Sequence, residues 1–387
     1  MSRDKVIVSG FVIRCPLGGY AWQALHYLVG LRQLGFDPYF FEDTSLFPGC
    51  YDPRTNSDGD DPSSGIAFAE DFFSRFGFDD HWVFRDIARS HIAGLDEAEA
   101  EALWADARVV IGVAAVNRLP PRARPTQRRV FIDIDPAYTQ IQAARGDRAL
   151  IELLKQHDAH FTLGENIGRG GCRVPTAGFD WRPTRQPIAL DLWEPTPLAG
   201  DAAFTTVGRW DEQRREIQFE GETYSWRKRV EWMKFLDLPQ RSGERFVVAM
   251  DVPKRPDDLA ALTQHGWQVR DPIALSADAF TYRDFIRHSK GEFTVAKDLN
   301  VRLSTGWFSD RGACYLAAGR PVVTQDTGFG RALPTGTGLF AVHDLDEAVA
   351  AIRAIAADYE THSQAARAIA AEHFDAARVL GSLFARL

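Results

Sequence analysis

The densest run of residues with chemical potential lies at 304–328, where Gly306, Ser309, Asp310, Arg311, Gly319, Pro321, Asp326 and Thr327 fall at spacings that build a binding turn. Gly306 permits a tight turn. Ser309 is a good N-cap, Ala313 to Ala318 form the helix that it opens, Gly319 ends the helix and Pro321 forbids its continuation. A glycine turn leading into a capped helix start presents unpaired amides and a partial positive charge, which is a binding site for phosphate. Arg311 adds a cation in the first turn, unusual beside a positive dipole end unless an anion is expected there. Val322 and Val323 read as a buried strand, and Asp326 and Thr327 emerge from it at the carboxyl edge, where open α/β sheets bind ligands. A plain helix–strand unit with a tidy cap explains the same residues without a ligand.

The elements around this run repeat one rhythm. A strand at 5–8, a loop with Gly18 and Gly19, a helix at 20–34 with Trp22, Leu25, Leu28, Leu31 and Leu34 on one face, Gly35, and a strand at 38–41 make a βαβ unit. Residues 44–65 read as a long loop, 96–106 as a helix, and 109–116, 129–133 and 159–163 as strands. Prolines recur from 181 to 200 and suggest an extended hinge. The rhythm then restarts with strands at 203–207, 245–249, 267–269, 292–296 and 321–324, a helix at 226–236, and helices from 344 to the end. The expected fold is α/β, with two Rossmann-like, doubly wound parallel-sheet domains facing a central cleft. The first spans 1–190 and the second 200–364, with a helix within 365–387 packing back on the first.

Composition narrows the function. The chain has 387 residues, 45% hydrophobic and 25% charged, ordinary globular values for two domains. A net charge of −8 argues against a general nucleic-acid binder. The short basic run Arg227, Lys228, Arg229 reads as a solvated face. No stretch of about 18 apolar residues occurs, so no membrane span is expected. The N-terminus reads as a strand, not a signal peptide. Four cysteines without CxxC spacing argue against a zinc site or a disulfide framework and suit a reducing cytoplasm. Asp133 and Asp135 have the DxD form of a metal motif, but they read as a strand end in the first half, so no metal is expected.

The stretch Gly306-Trp307-Phe308-Ser309, followed by Ala318-Gly319-Arg320-Pro321-Val322-Val323, resembles the nucleotide-sugar signature of GT-B glycosyltransferases. The Gly18-Gly19 loop is similar to the acceptor-side loop of that fold. There are departures. Aligned on Gly319, the Glu-x7-Glu pair of retaining, glycogen-synthase-like members falls on Gly306 and Cys314, so it is missing. Ser309 lies ten residues before Gly319, where plant-type members place their serine at eight. The resemblance implies transfer of a sugar from a UDP-, GDP- or dTDP-linked donor to an acceptor, with inversion favoured by the missing pair, and no cofactor beyond the co-substrate. It implies a donor site of Thr206, Arg209, Asp251, Arg270, Lys297, Gly306, Ser309, Asp310, Arg311, Asp326 and Thr327, with Arg311 and Lys297 in place of a metal. The acceptor side comprises Gly18, Gly19, Tyr20 and Tyr138. For the base that takes the acceptor proton, Asp135 ranks before His26. Asp135 also reads as a turn aspartate and His26 as a half-buried helix histidine. A nucleotide-sugar 2-epimerase and a non-catalytic sugar-nucleotide-binding protein remain alternatives. A dinucleotide oxidoreductase is discounted for want of GxGxxG after the first strand. The expected partners are the donor and an acceptor, with room for a homodimer.

Overall fold

The computed structural model describes residues 3–114, 116–212 and 216–387. Residue 115, inside the expected strand 109–116, lies outside them.

Apolar strands build two sheets. The first uses β1 (Lys5–Ser9), β2 (Asp37–Asp43), β5 (Trp82–Asp86), β6 (His91–Gly94), β7 (Val109–Val113), β8 (Arg128–Asp133), β9 (Ala159–Thr162) and β10 (Trp181–Pro183), and between β2 and β5 a separate hairpin forms from β3 (Cys50–Asp52) and β4 (Ser57–Gly59). The second half contributes β11 (Phe204–Val207), a hairpin of β12 (Ile217–Phe219) and β13 (Glu222–Tyr224), then β14 (Phe246–Ala249), β15 (Trp267–Arg270), β16 (Gly291–Thr294), β17 (Val322–Gln325) and β18 (Leu339–Val342). The first sheet runs β10-β9-β8-β7-β1-β2-β5-β6, parallel except at β5–β6, and the second runs β15-β14-β11-β16-β17-β18, parallel throughout. Both are doubly wound, and strand order reverses between β1 and β7 in one and between β11 and β16 in the other. Those switch points are where such sheets open a crevice for ligands.

The expected strands are all present, and the apolar runs explain why. The expected long loop is not all loop: it holds the β3–β4 hairpin and the start of the helix Ser63–Ser74. β4 is fully exposed and has no alternation to read. The proline-rich hinge contains β10, where Pro183 is tolerated because the strand is at the sheet edge. The helix Ala376–Phe384 returns to the first half. It meets the first helix, Gly18–Gln33, where Gly30 has no side chain: a Cβ there would lie 2.7 Å from Ala376 Cβ and Leu380 Cδ1. The largest apolar core runs through both halves, joining Trp22 and Trp193 to Ala279, Tyr282 and Phe308.

Candidate functional site

The helix Asp310–Ala317 starts as its sequence dictates, and two of its first amides are already used. Ser309 Oγ accepts from the Gly312 amide at 2.9 Å, and Asp310 Oδ1 accepts from the Arg311 amide at 2.7 Å. Gln23 Nε2, from the first helix, donates to Asp310 Oδ2 at 3.3 Å. Burial raises the pKa of Asp310, opposed by the Arg311 amide and by the charges of Arg311 and Lys228. Each nitrogen of the Arg311 guanidinium is engaged: Nε donates to Glu292 Oε1 at 2.6 Å, Nη1 to the Val207 carbonyl at 2.6 Å and Nη2 to Thr294 Oγ1 at 3.0 Å. It therefore stitches β11 to β16 where they splay apart. The cation beside the positive helix end is matched by a buried carboxylate, Glu292. Thr206 belongs to the same buried network, its hydroxyl donating to Glu292 Oε1 at 3.2 Å.

The Gly306 turn also answers to a protein group. Its φ is +77°, and a Cβ would lie 2.8 Å from Asn166 Cγ. Asn166 Nδ2 donates to the carbonyls of Ser304 and Gly328 at 3.0 Å each, so the turn is a junction between the halves. Thr327 is buried with its hydroxyl on the Trp307 carbonyl at 2.6 Å, and Asp326 Oδ1 accepts from the Gly328 amide at 2.8 Å. Asp251 accepts from the Trp210 amide at 2.8 Å, and Arg270 is exposed on the outer strand β15. In the first half, Gly18 is pressed on Tyr282, where a Cβ would lie 2.6 Å from Tyr282 Cβ, and Gly19 faces the Tyr282 hydroxyl. His26 is enclosed: its Nε2 accepts from Trp193 Nε1 at 2.7 Å, and burial drives its pKa down to about 3. An imidazole that already holds an indole N–H in the core is a packing group, which does not fit the expectation of a base at His26.

What the structure does gather, at the carboxyl edges of β11 and β16, is positive charge. Arg209, after β11, is exposed and close enough to Tyr20 and Cys15 of the first half to pull both groups down against the burial that raises them. Lys297, after β16, donates to Asp135 Oδ1 at 3.0 Å across the seam, and its ammonium lies 3.3 Å from the Trp226 ring centre. Near Lys297 stands Lys228, which opens the helix Lys228–Trp232 with its ammonium 5.8 Å from the Trp307 ring centre. Burial, then the neighbouring charges of Arg311 and Lys297, push Lys228 down to about 7, with Glu292 and Asp310 only partly offsetting them. Among the described residues no carboxylate pairs with it. A half-buried ammonium among other cations is unfavourable by itself, so this place suits an anion.

Sequence reasoning passed over Lys228 as part of a solvated basic run. The one available signal was the pair of tryptophans around that run, Trp226 and Trp232, which are both buried. Asp135 is held in place by Asp133, a buried carboxylate pushed up to about 6 by burial against bonds from Gln140, Thr139 and Thr162. Asp133 Oδ1 accepts from the Asp135 amide at 3.2 Å, so the DxD form is a loop anchor. Tyr138 does not face open space but meets Trp226 edge-on, with ring centres 5.0 Å apart.

No protein-family model matches the chain, and a search of curated proteins finds no match. Solved structures do match along nearly its whole length. An alpha-glucosyltransferase in complex with UDP is 13% identical, with 99% of each chain covered and a TM-score of 0.61. AviGT4, a glycosyltransferase involved in avilamycin A biosynthesis, is 13% identical over 98% of this chain and 96% of its own, with a TM-score of 0.55. Sucrose-phosphate synthase from Thermosynechococcus elongatus is 11% identical over 99% of each chain, with a TM-score of 0.53. The two facing doubly wound sheets are those of the GT-B glycosyltransferase fold, and this chain has that fold.

Proposed function

We propose that this protein is a glycosyltransferase that moves a sugar from a nucleoside-diphosphate donor to an acceptor hydroxyl, with inversion and without a metal ion. The observation that carries this reading is Lys228: an ammonium without a carboxylate partner among the described residues, close to the charges of Arg311 and Lys297. The donor's diphosphate lies against Lys228 and Arg209, and its nucleoside lies over the edges of β14 and β15. The second half, 200–364, holds the donor, and the first, 1–190, presents the acceptor near Tyr20.

In the transfer, the acceptor oxygen forms a bond to the sugar's anomeric carbon as the bond from that carbon to the diphosphate oxygen breaks. The electron pair leaves with the diphosphate, where fixed cations stabilise the charge as it develops. Asp135, reaching the seam from β8, takes the acceptor proton. UDP is the first nucleotide to try, because solved neighbours carry it.

Calorimetric titration of UDP, GDP and dTDP without magnesium tests the reading. One of the three is expected to bind. No binding by any of them overturns it. Asp135→Asn is expected to keep that binding while turnover falls by about 10²- to 10⁴-fold. The anomeric configuration of the product, read by NMR, reports inversion.

A further inference from the structure

Lys228 follows an arm that belongs to neither large sheet. The arm is the β12–β13 hairpin and the segment to Trp226. A two-stranded hairpin is marginal on its own, so its shape comes from what it touches. One side rests on the second half: Asp298 Oδ2 accepts from the Ser225 amide at 3.0 Å, and Arg302 Nη1 donates to the Thr223 carbonyl at 3.1 Å and pairs with Glu222. The other side is planted in the first half. Ile217, Tyr224 and Trp226, each no more than 2% exposed, share an apolar cluster with Ile141, Ile167 and Trp181. Tyr138 packs edge-on against Trp226, and Arg173 Nη2 donates to the Tyr224 hydroxyl at 3.2 Å while Nη1 lies 3.5 Å from Glu220 Oε2.

We infer that Tyr138 and Arg173, both in the first half, are positioning residues for the diphosphate clamp, because through Trp226 and Tyr224 they hold the arm that sets Lys228. This rests on the diphosphate reading of Lys228 and adds to it: donor affinity depends on side chains of the half that does not bind the donor. Only one residue, Arg227, separates Trp226 from Lys228, so a displaced indole moves the ammonium with it. The same indole lies under Lys297, so two of the cluster's cations are set by one anchored ring. By linkage, a bound diphosphate in turn stabilises the arm on the first half.

The experiment is titration of the wild type and of Tyr138→Ala, Tyr138→Phe, Arg173→Ala and Lys228→Ala with UDP, GDP and dTDP, with the thermal midpoint of each unliganded protein recorded. Tyr138→Ala is expected to weaken binding by about tenfold, the scale of an ordinary coupling between sites, and Tyr138→Phe, which keeps the ring, to restore it. The pH above which affinity fails, near 7 in the wild type, is expected to rise in Tyr138→Ala as Lys228 loses its enclosure. A merely structural role would lower the thermal midpoint and leave that pH unmoved. Arg173 is half-exposed, so Arg173→Ala keeps the test alive if Tyr138→Ala does not fold; a loss of about threefold is expected. If Lys228→Ala weakens binding while Tyr138→Ala and Arg173→Ala bind within twofold of the wild type, this inference alone falls. If the wild type binds none of the three nucleotides, or Lys228→Ala binds as well as the wild type, the diphosphate clamp falls and takes this inference with it.

Discussion

Two places in the second half put a cation beside the cleft, and they differ in what surrounds it. At the start of the helix Asp310–Ala317, Arg311 meets a buried carboxylate, a carbonyl and a hydroxyl, and the amides around it are capped. At the end of the arm, Lys228 meets the charges of Arg311 and Lys297 and the Trp307 ring, and among the described residues no carboxylate pairs with it. In the first region the cation is neutralised by the protein's own carboxylate; the second is electrostatically unfinished. Satisfied groups report stability and unsatisfied ones report binding, so the same charge is read in opposite ways at the two places only by asking what neutralises it.

The largest test of this contrast is Arg311→Ala. Glu292 is 0% exposed, and one of its oxygens already has no partner. Removing the guanidinium strands its charge, and breaking a buried pair from one side costs about 3–5 kcal/mol. Chemical denaturation is expected to show that loss. A variant as stable as the wild type that had lost only nucleotide binding would reverse the assignment of the two regions. Lys228→Ala comes next: stability is expected to hold or rise, since a poorly solvated charge is removed, while diphosphate affinity falls by about 2 kcal/mol, roughly thirtyfold. Calorimetry beside a thermal melt separates the two effects.

The sequence disclosed the scaffold well and the site poorly, for one physical reason. Strands such as 109–113 and 246–249 are apolar throughout because parallel sheets are covered on both faces, and periodicity needs no partner to be seen. The cap at Ser309 and the stop at Gly319 are equally local, and both appear in the structure as expected. Whether a capped helix start is open or filled is not local. Gln23 and Asn166, which meet the 304–311 segment, lie well over a hundred residues away. Lys228 lost its signal for the opposite reason: its neighbours Arg227 and Arg229 pair with Asp211 and Asp258 outside the cluster, so the run looks like a solvated face and two of its three members behave as ordinary ion-paired arginines.

A smaller effect sharpens the contrast through pH. Lys228 is held down to about 7 in the folded protein against an ordinary 10.5. Between those values the unfolded chain keeps a proton that the folded one has released, so this group's contribution to stability rises with pH across the window and is unfavourable below it. Binding runs the other way. An anion takes the ammonium form, so affinity is full below about 7 and falls above it by at most about tenfold per pH unit. Wild type minus Lys228→Met is expected to show both slopes with opposite signs, the ligand's own ionisation cancelling in the difference. Equal slopes in the two proteins would mean that Lys228 does not titrate in this range.

The smallest effect is expected at Ser309, and it probes the other region. Its hydroxyl caps the Gly312 amide from an extended backbone. Ser309→Ala removes that one bond, a loss of about 1 kcal/mol of stability for a helix N-cap. If the helix start held the diphosphate, freeing this amide would change nucleotide affinity as well. Because Asp310 and Ser309 already fill the first turn and Gln23 closes over it, affinity is expected to stay within twofold while the melt shifts. An affinity change larger than the stability change would put the ligand back at the helix start and demote the arm.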